Sequence, residues 1–246
     1  IRVMDITFDL AQKEEFKGLF TATSHVTGEE INRWAHLPRN PKDLIQKQQM
    51  IRVGARRAGG CIQRCMGQDA LNALAVCTKE IDEAEGTDYH KRFINYLKWY
   101  HSNDINGCCA QTDSKGDRLK RPHEQPNPDA YVHIVEENAD GIIVNGYKMS
   151  ITQGAYADEL FVLPTRALQE KDRSFAVAFA IPADTKGVIH VVGRSTLDTR
   201  EVDGCDCGNA RYSKYAPTVI YDDVFVPWDR VFLCGEVEFA AELVMR

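Results

Sequence analysis

The stretch Gly59-Gly60-Cys61-Ile62-Gln63-Arg64-Cys65-Met66-Gly67 stands at the head of a long apolar run that has helical spacing. If the stretch is helical, four steps of about 100° put the sulfurs of Cys61 and Cys65 on one face, roughly 6 Å apart along the axis. Thiolates bind iron, and the neighbouring arginines favour the charged form of sulfur, so the pair suits one edge of an iron–sulfur cluster. The alternative is a cysteine pair that faces a core, because cysteine is often buried.

Helical spacing dominates the chain around this stretch. Asn40-Pro41 supplies an N-cap followed by proline at the first helical position, and Thr27-Gly28-Glu29-Glu30 resembles a cap before another helix. Gly59-Gly60 interrupts the pattern. The sequence therefore predicts an all-helical first layer with helices over 8–20, 31–37, 41–58, 65–84 and 89–99.

The period changes to two after Asn103-Asp104. Short runs rich in β-branched and aromatic residues alternate with Asp-Gly, Asn-Gly, proline and polar loops. The predicted strands are 130–135, 141–149, 159–164, 175–181, 188–192 and 217–226. Because helices come first and strands follow, we predict an α+β fold with a small β-barrel or sandwich rather than a doubly wound sheet.

Composition limits the classes of function. The chain has 246 residues, 43% hydrophobic and 27% charged, which is typical of a globular protein. A net charge of -6 without a basic tract argues against a nucleic-acid partner. Membrane-length apolar windows and a secretory signal pattern are both missing from the sequence, so we expect no membrane partner and a cytoplasmic location.

The eight cysteines show no spacing typical of a small secreted domain, so we expect thiols or metal ligands rather than disulfides. Cys108, Cys109, Cys205 and Cys207 have no partner that the sequence identifies. His101 and Cys108 imitate a ligand pair, but their place between the helices and the strands argues against it. Both ends of the chain look cut, since it opens in mid-pattern and closes inside a helical run without a stop signal.

Two polar segments could contribute to a ligand site. The first is the loop 110–118, whose hydroxyl, amide and glycine positions allow backbone N–H groups to approach a flat or phosphorylated ligand. The second is 140–154, which predicts two strands about an Asn145-Gly146 turn followed by a segment with hydroxyl groups. A polar loop and an ordinary hairpin are the alternative interpretations.

Three ordered motifs resemble the middle domain of the acyl-CoA dehydrogenase superfamily. They are Ala110-x-Thr112 with the following polar residues, Asp140-Gly141 to Ile151-Thr152, and Tyr221-Asp222-Asp223-Val224-Phe225-Val226-Pro227. In that superfamily the first two segments bracket the flavin ring. The resemblance implies FAD-binding residues at Gln111, Thr112, Asp113, Ser114, Lys115, Gly116, Asp117, Arg118, Ser150, Ile151 and Thr152, and Arg194 is a further candidate because arginine makes forked contacts with phosphate.

The cysteine stretch narrows the resemblance. Cys61-x-Gln63-Arg64-Cys65-x-Gly67-x-Asp69-Ala70-Leu71-Asn72-Ala73-Leu74, together with 222–232, is similar to the 4-hydroxybutyryl-CoA dehydratase family, whose members use flavin and iron–sulfur. The resemblance implies that Cys61 and Cys65 bind one edge of a 4Fe-4S cluster, and that a histidine and a third cysteine of a C-terminal helical domain complete it. Gln63 and Thr152 are the candidate catalytic residues; a solvated surface role is the alternative for Gln63.

The activity implied by this family is a radical dehydration of 4-hydroxybutyryl-CoA to crotonyl-CoA, with vinylacetyl-CoA isomerisation. The flavin would take one electron, and the cluster would act as a Lewis acid toward the departing hydroxyl. The implied substrate is a CoA thioester and the implied assembly a homotetramer. Two alternatives remain: a flavin-dependent aromatic hydroxylase of the 4-hydroxyphenylacetate 3-hydroxylase type, which needs no iron, and a non-catalytic fragment.

The expected architecture is acyl-CoA dehydrogenase-like. We predict an N-terminal helical domain that carries the cysteine pair over 1–104, a flavin-binding β domain over 105–235, and the start of a truncated C-terminal helical bundle over 236–246.

Overall fold

The predicted helical layer is confirmed in a computed structural model, which describes residues 2–59, 64–193 and 216–245. The pattern predicted over 8–20 forms two helices, because Lys13 adopts an extended conformation between them. The helices of this layer are α1 (Arg2–Gln12), α2 (Glu14–Phe20), α3 (Pro41–Ala58), α4 (Cys65–Glu85) and α5 (Tyr89–Ser102).

Helix α3 begins and ends at the residues that the sequence indicates. The side chain of Asn40 accepts a hydrogen bond of 3.1 Å from the backbone N–H of Asp43, and Pro41 occupies the first helical position. Gly59 then adopts a left-handed conformation with φ 72°, which ends the helix. Gly86 ends α4 in the same way, with φ 70°. Local capping signals therefore set the lengths of these helices.

The helix predicted over 31–37 is wrong. A strand, β2 (Glu30–Asn32), pairs with β1 (Thr21–Thr23), and only one short 3-10 turn, Arg33–Ala35, follows. The side chain of Asn32 caps that turn by accepting a bond of 3.2 Å from the N–H of Trp34. Pairing with β1 satisfies the backbone of Ile31, so tertiary hydrogen bonds override the local helical pattern.

The strands after α5 form two sheets of four strands. One sheet has the order β10-β7-β6-β3 and the other the order β4-β5-β9-β8. The strands β3 and β6 are parallel, whereas the other described pairings are antiparallel. Their bounds are β3 (Gly107–Ala110), β4 (His133–Glu137), β5 (Gly141–Lys148), β6 (Glu159–Val162), β7 (Val177–Pro182), β8 (Val188–Val191), β9 (Thr218–Pro227) and β10 (Val231–Cys234).

The turn predicted at Asn145-Gly146 is also wrong, because β5 runs through these residues without reversing. The register against β9 shifts between Val144 and Gly146, which is a bulge. Gly146 has φ 121°, and a side chain there would overlap the backbone oxygen of Tyr131. The side-chain amide of Asn145 donates to the carboxylate of Asp223 on β9, and its oxygen accepts from the backbone N–H of Asp223. Partners distant in sequence therefore turn a hairpin signal into a bulge.

Three layers pack on one another. Helices α4 and α5 lie against one face of the β10-β7-β6-β3 sheet, where Phe93 meets Phe232 edge-on at 5.8 Å between ring centroids. The other face of that sheet packs on the second sheet, where Phe179 meets Tyr221 at 6.1 Å. All four residues of β6 are buried as a result. Across the described residues the strands form two open sheets that pack face to face, so the observed form is a sandwich.

The end of the described chain returns to helix, with a 3-10 turn at Val237–Phe239 and α6 (Glu242–Met245), which contacts α4. This order agrees with the predicted succession of layers, while the exact domain limits stay a prediction. The described helices include none with the length and apolar character needed to cross a membrane.

Candidate functional site

The cysteine stretch is described from Arg64 onward. Helix α4 begins at Cys65, which is partly buried, while Cys61 and Gln63 lie outside the described residues. The N-cap residue of α4, Arg64, makes no side-chain capping bond to the helix. The first N–H groups of α4 carry a partial positive charge, which favours a thiolate nearby. The spacing of the two sulfurs stays a prediction.

The other described cysteines have environments typical of buried thiols. Burial raises the pKa of Cys108 above its usual range and the pKa of Cys109 to about 12, and the pKa of Cys234 is raised by burial to the same value. None of the five cysteines in the described ranges forms a disulfide. The raised pKa values of these three cysteines favour the neutral thiol over the thiolate in this conformation. Cys205 and Cys207 lie outside the described residues.

His101 is a structural residue. Its Nε2 lies 2.9 Å from the carbonyl oxygen of Ala35 and its Nδ1 lies 2.9 Å from Oγ of Ser24, so both ring nitrogens are engaged. Burial lowers the pKa of His101 to about 4. Both ring nitrogens of His101 therefore have protein partners, while the expectation that His101 and Cys108 are not a ligand pair stays a prediction. More broadly, residues 2–59, 64–193 and 216–245 contain no group of three His, Cys, Asp or Glu side chains arranged to hold a metal ion.

The start of α4 is held directly against the sheet. Gly67 packs so closely on Gly107, the first residue of β3, that a side chain at Gly67 would overlap the backbone carbonyl of Gly107. Strand β3 leads straight into Gln111, Thr112 and the rest of the predicted flavin loop. One short strand thus connects the helix that carries Cys65 with this loop.

Lys148 fixes the base of the loop. Its side chain is buried, and its Nζ donates to Oδ1 of Asp113 at 2.5 Å, to the carbonyl oxygen of Gln111 at 3.0 Å and to that of Leu163 at 2.8 Å. The other carboxylate oxygen of Asp113 accepts from the hydroxyl of Thr165. The charge of Asp113 is therefore neutralised inside the protein, and its role is to hold the loop.

The two predicted flavin segments lie side by side. The N–H of Met149 donates to the carbonyl oxygen of Thr112 at 2.8 Å, which joins the loop to the segment that follows β5. Ser150 and Gln153 have φ of 56° and 72°, so the chain makes a tight turn that contains Ile151 and Thr152. Ile151 is buried and bonded to Pro217, whereas Thr152 is partly exposed. Left-handed non-glycine residues are costly and occur often at binding sites.

Some of the remaining loop residues make contacts that stabilise the loop, and the others have exposed side chains. The hydroxyl of Ser114 donates to the carbonyl oxygen of Ala130. Gly116, with φ 51°, packs on the side chain of Gln125, which also accepts a bond of 2.9 Å from the N–H of Asp117. These three residues shape the loop, whereas Lys115 and Arg118 extend from it with exposed side chains.

A cleft of about 330 Å³ opens above this framework, and its lining is positively charged. The cations are Lys115, Arg118 and Arg166, and the neutralised Asp113 is the acidic residue among the lining side chains. The lining residues are Thr112, Asp113, Lys115, Arg118, Tyr131, Thr165 and Arg166. This combination of hydroxyl groups and cations suits a polar ligand with phosphate groups.

Sequence reasoning missed Tyr131, Thr165 and Arg166. Thr165 and Arg166 follow β6 closely, just as Thr112 follows β3, and these two strands are parallel neighbours. Because the carboxyl ends of parallel strands meet at one edge of a sheet, the two segments had to come together. The signal was available in principle, but the prediction did not include β3. Arg194, the further phosphate candidate, lies outside the described residues.

A profile of the family described as "4-hydroxyphenylacetate 3-hydroxylase N terminal" matches residues 1–233. The 4-hydroxybutyryl-CoA dehydratase/vinylacetyl-CoA-Delta-isomerase of Clostridium aminobutyricum is 40% identical over 100% of this chain and 51% of its own length. This chain thus spans about half the length of that curated relative.

Two solved structures resemble the fold. An oxygen-tolerant archaeal 4-hydroxybutyryl-CoA dehydratase from N. maritimus has a TM-score of 0.91 and 42% identity, over 99% of this chain and 49% of that one. The oxygenase component of 4-hydroxyphenylacetate 3-monooxygenase, solved in complex with FAD, has a TM-score of 0.79 and 25% identity, over 99% and 50%. Of these two neighbours, the dehydratase is the more similar in both backbone and sequence.

Proposed function

Because this chain belongs to the 4-hydroxyphenylacetate 3-hydroxylase N-terminal family, we propose that it forms the FAD-binding part of an enzyme that dehydrates 4-hydroxybutyryl-CoA. The observation that carries the choice of reaction is the likeness to the archaeal dehydratase over 99% of the chain. The proposed product is crotonyl-CoA, and the proposed second activity is the isomerisation of vinylacetyl-CoA. The proposed enzyme is a cytoplasmic homotetramer.

The residues of the cleft fit FAD. Lys115, Arg118 and Arg166 provide three cations for phosphate oxygens, and Thr112 provides a hydroxyl beside them. Thr152 stands at the turn after β5, next to the same loop. When bound, FAD supplies one-electron chemistry, and this chain contributes orientation of the cofactor and charge compensation of its phosphates.

Cys65 fits as one ligand of a 4Fe-4S cluster. It is partly buried, it opens a helix to which the N-cap residue Arg64 makes no side-chain capping bond, and Cys61 is the proposed second ligand. A bound cluster supplies Lewis acidity toward the hydroxyl that leaves the substrate. Two cysteines are half of a cluster's ligand set, so we propose that the remaining ligands come from elsewhere in the protein.

The test is the iron, acid-labile sulfide and FAD content of anaerobically purified protein. We expect about four iron atoms per flavin. The variant Cys65→Ser should lose the iron and the dehydratase activity, while Cys234→Ala, which changes a partly buried thiol in β10, should keep both. Iron content and activity left unchanged by Cys65→Ser would overturn the proposal.

An aromatic hydroxylase is the second candidate, because the oxygenase component solved with FAD shares the fold at 25% identity. The same measurement separates the two functions. FAD without iron, together with hydroxylation of 4-hydroxyphenylacetate by the reduced flavoprotein, would favour the hydroxylase.

A further inference from the structure

Arg64 directly precedes α4, and its side chain turns away from that helix into the protein. The residue is 2% exposed, although arginine is among the residues that are almost never fully buried without a partner. Its backbone is helical, with φ -78° and ψ -14°, but its side chain makes no capping bond to α4. The Arg64 side chain is therefore not buried in order to cap α4.

The guanidinium joins two other elements. Nη1 donates to Oγ1 of Thr7 in α1 at 2.8 Å, and Cζ of Arg64 lies 4.3 Å from the ring centroid of Phe8. Nη2 donates to the carbonyl oxygen of Ile105 at 3.3 Å and lies 3.7 Å from Oδ1 of Asp104, in the connection between α5 and β3. The hydroxyl of Thr7 in turn donates to the carbonyl oxygen of Met4 at 2.7 Å, so this acceptor is itself oriented.

Burying a guanidinium costs free energy, because the group loses its hydrogen bonds to water and needs protein acceptors in fixed positions to replace them. These bonds attach the residue that precedes α4 to α1 and to the connection between α5 and β3. Cys65 is the next residue, and Gly67, two residues further, is pressed against β3. Cys65 is therefore held on both sides within one helical turn.

We propose that Arg64 is the positioning residue that sets Cys65 in place as a cluster ligand, an inference that rests on the proposed function. The forked guanidinium fixes the position of the sulfur before iron binds, so that little ordering remains when the ligand bonds form. Mutation of residues that orient metal ligands without binding the metal typically lowers metal affinity by about 10- to 100-fold.

The test compares Arg64→Met with Arg33→Met in the full protein. Arg33 is a matched control, because it is also buried in the helical layer and donates to the carbonyl oxygens of Leu19 at 2.7 Å and Thr21 at 2.5 Å. Iron per folded chain after anaerobic reconstitution and the visible and electron paramagnetic resonance spectra are the readouts. We expect about tenfold weaker iron binding and an altered spectrum for Arg64→Met, and wild-type values for folded Arg33→Met.

Milder variants keep the test decisive if Arg64→Met does not fold. Thr7→Val removes one acceptor at nearly constant volume and should weaken iron binding, while Arg64→Lys, which keeps the charge but loses the fork, should be intermediate. Wild-type iron affinity and spectrum in Arg64→Met or, failing that, in Thr7→Val would overturn the proposal. So would an equal loss of iron in Arg33→Met, since Arg64 would then act only through stability.

A metal-free readout separates this inference from the proposed function. The rate at which iodoacetamide alkylates Cys65, followed by peptide mass spectrometry, should rise several-fold in Arg64→Met and stay unchanged in Arg33→Met. If the wild-type protein binds no iron, the proposed function fails. The alkylation rate alone then decides whether Arg64 positions Cys65, and an unchanged rate would count against it.

Discussion

At the scale of single residues, the loop beside the cleft depends on one buried cation. We expect Lys148→Met to destabilise the protein by about 3–5 kcal/mol, because it leaves the carboxylate of Asp113 without its charge partner. The carbonyl oxygens of Gln111 and Leu163 also lose a donor. Urea unfolding measures this loss, and FAD titration should show weaker binding because the change releases the proposed FAD-binding loop.

The control for this variant is Lys79→Met. Lys79 pairs with Glu83 at 3.7 Å on the surface, where an ion pair contributes little, so we expect a change within about 0.5 kcal/mol. A similar small effect for Lys148→Met would contradict the role assigned to it. The sequence indicated Asp113 as a ligand-binding residue, but only the fold reveals that Lys148 and Thr165 occupy its carboxylate.

At the scale of secondary-structure elements, the contact between α4 and β3 leaves no room for a side chain at Gly67. We expect Gly67→Ala to destabilise the protein by about 3 kcal/mol or more, since overpacking against backbone forces the helix away from the strand. Urea unfolding gives the value, and iron content should fall with it because Cys65, the proposed cluster ligand, lies two residues away.

Gly18→Ala is the matched substitution. Gly18 lies in α2 and a side chain there would meet nothing within 4 Å, so the higher helix propensity of alanine should stabilise the protein by up to about 1 kcal/mol. Equal effects at Gly67 and Gly18 would mean that the α4–β3 contact is not tight.

The same scale shows what the sequence can predict. Helix α3 follows from local capping chemistry at Asn40 and Gly59, which acts within a few residues. The Asn145-Gly146 bulge depends on Tyr131 and Asp223, and β2 depends on β1. Strand β3 was missed because its residues, Gly107–Ala110, have weak strand propensity and are extended only through pairing with β6. Thr165 and Arg166 were missed with it.

At the scale of the whole molecule, a buried carboxylate joins the helical layer to the sheets. Glu159 in β6 accepts from the hydroxyl of Tyr96 in α5 at 3.0 Å and from Nη1 of Arg230 at 2.8 Å. Desolvation raises the pKa of Glu159 above its ordinary value of 4.5, against the opposing effect of Arg230. The folded protein therefore holds this proton more tightly than the unfolded chain does.

The sign of the pH dependence follows from that shift. As pH rises from 4.5 through the raised pKa, Glu159 should lose a contribution to stability that is fully present below 4.5. We expect Glu159→Gln, which cannot ionise, to gain stability relative to wild type over this window, and to differ by about 1 kcal/mol or less below it. Calorimetry of both proteins between pH 4 and 7 measures the difference. A difference that moves in the opposite direction would show that the pairing with Arg230 outweighs burial.

The parallel pairing of β3 with β6 has a consequence for how ligand preference can change in relatives of this chain. Both walls of the cleft rise from neighbouring hydrogen-bonded strands, whose spacing is fixed at about 4.8 Å by the peptide backbone. The backbone pairing of β3 with β6 therefore sets how far apart the two cleft-lining segments, which follow these strands, begin. Variation in the length and charge of side chains on the rim, at positions such as Lys115 and Arg166, remains the means of selecting a different ligand without rebuilding the core.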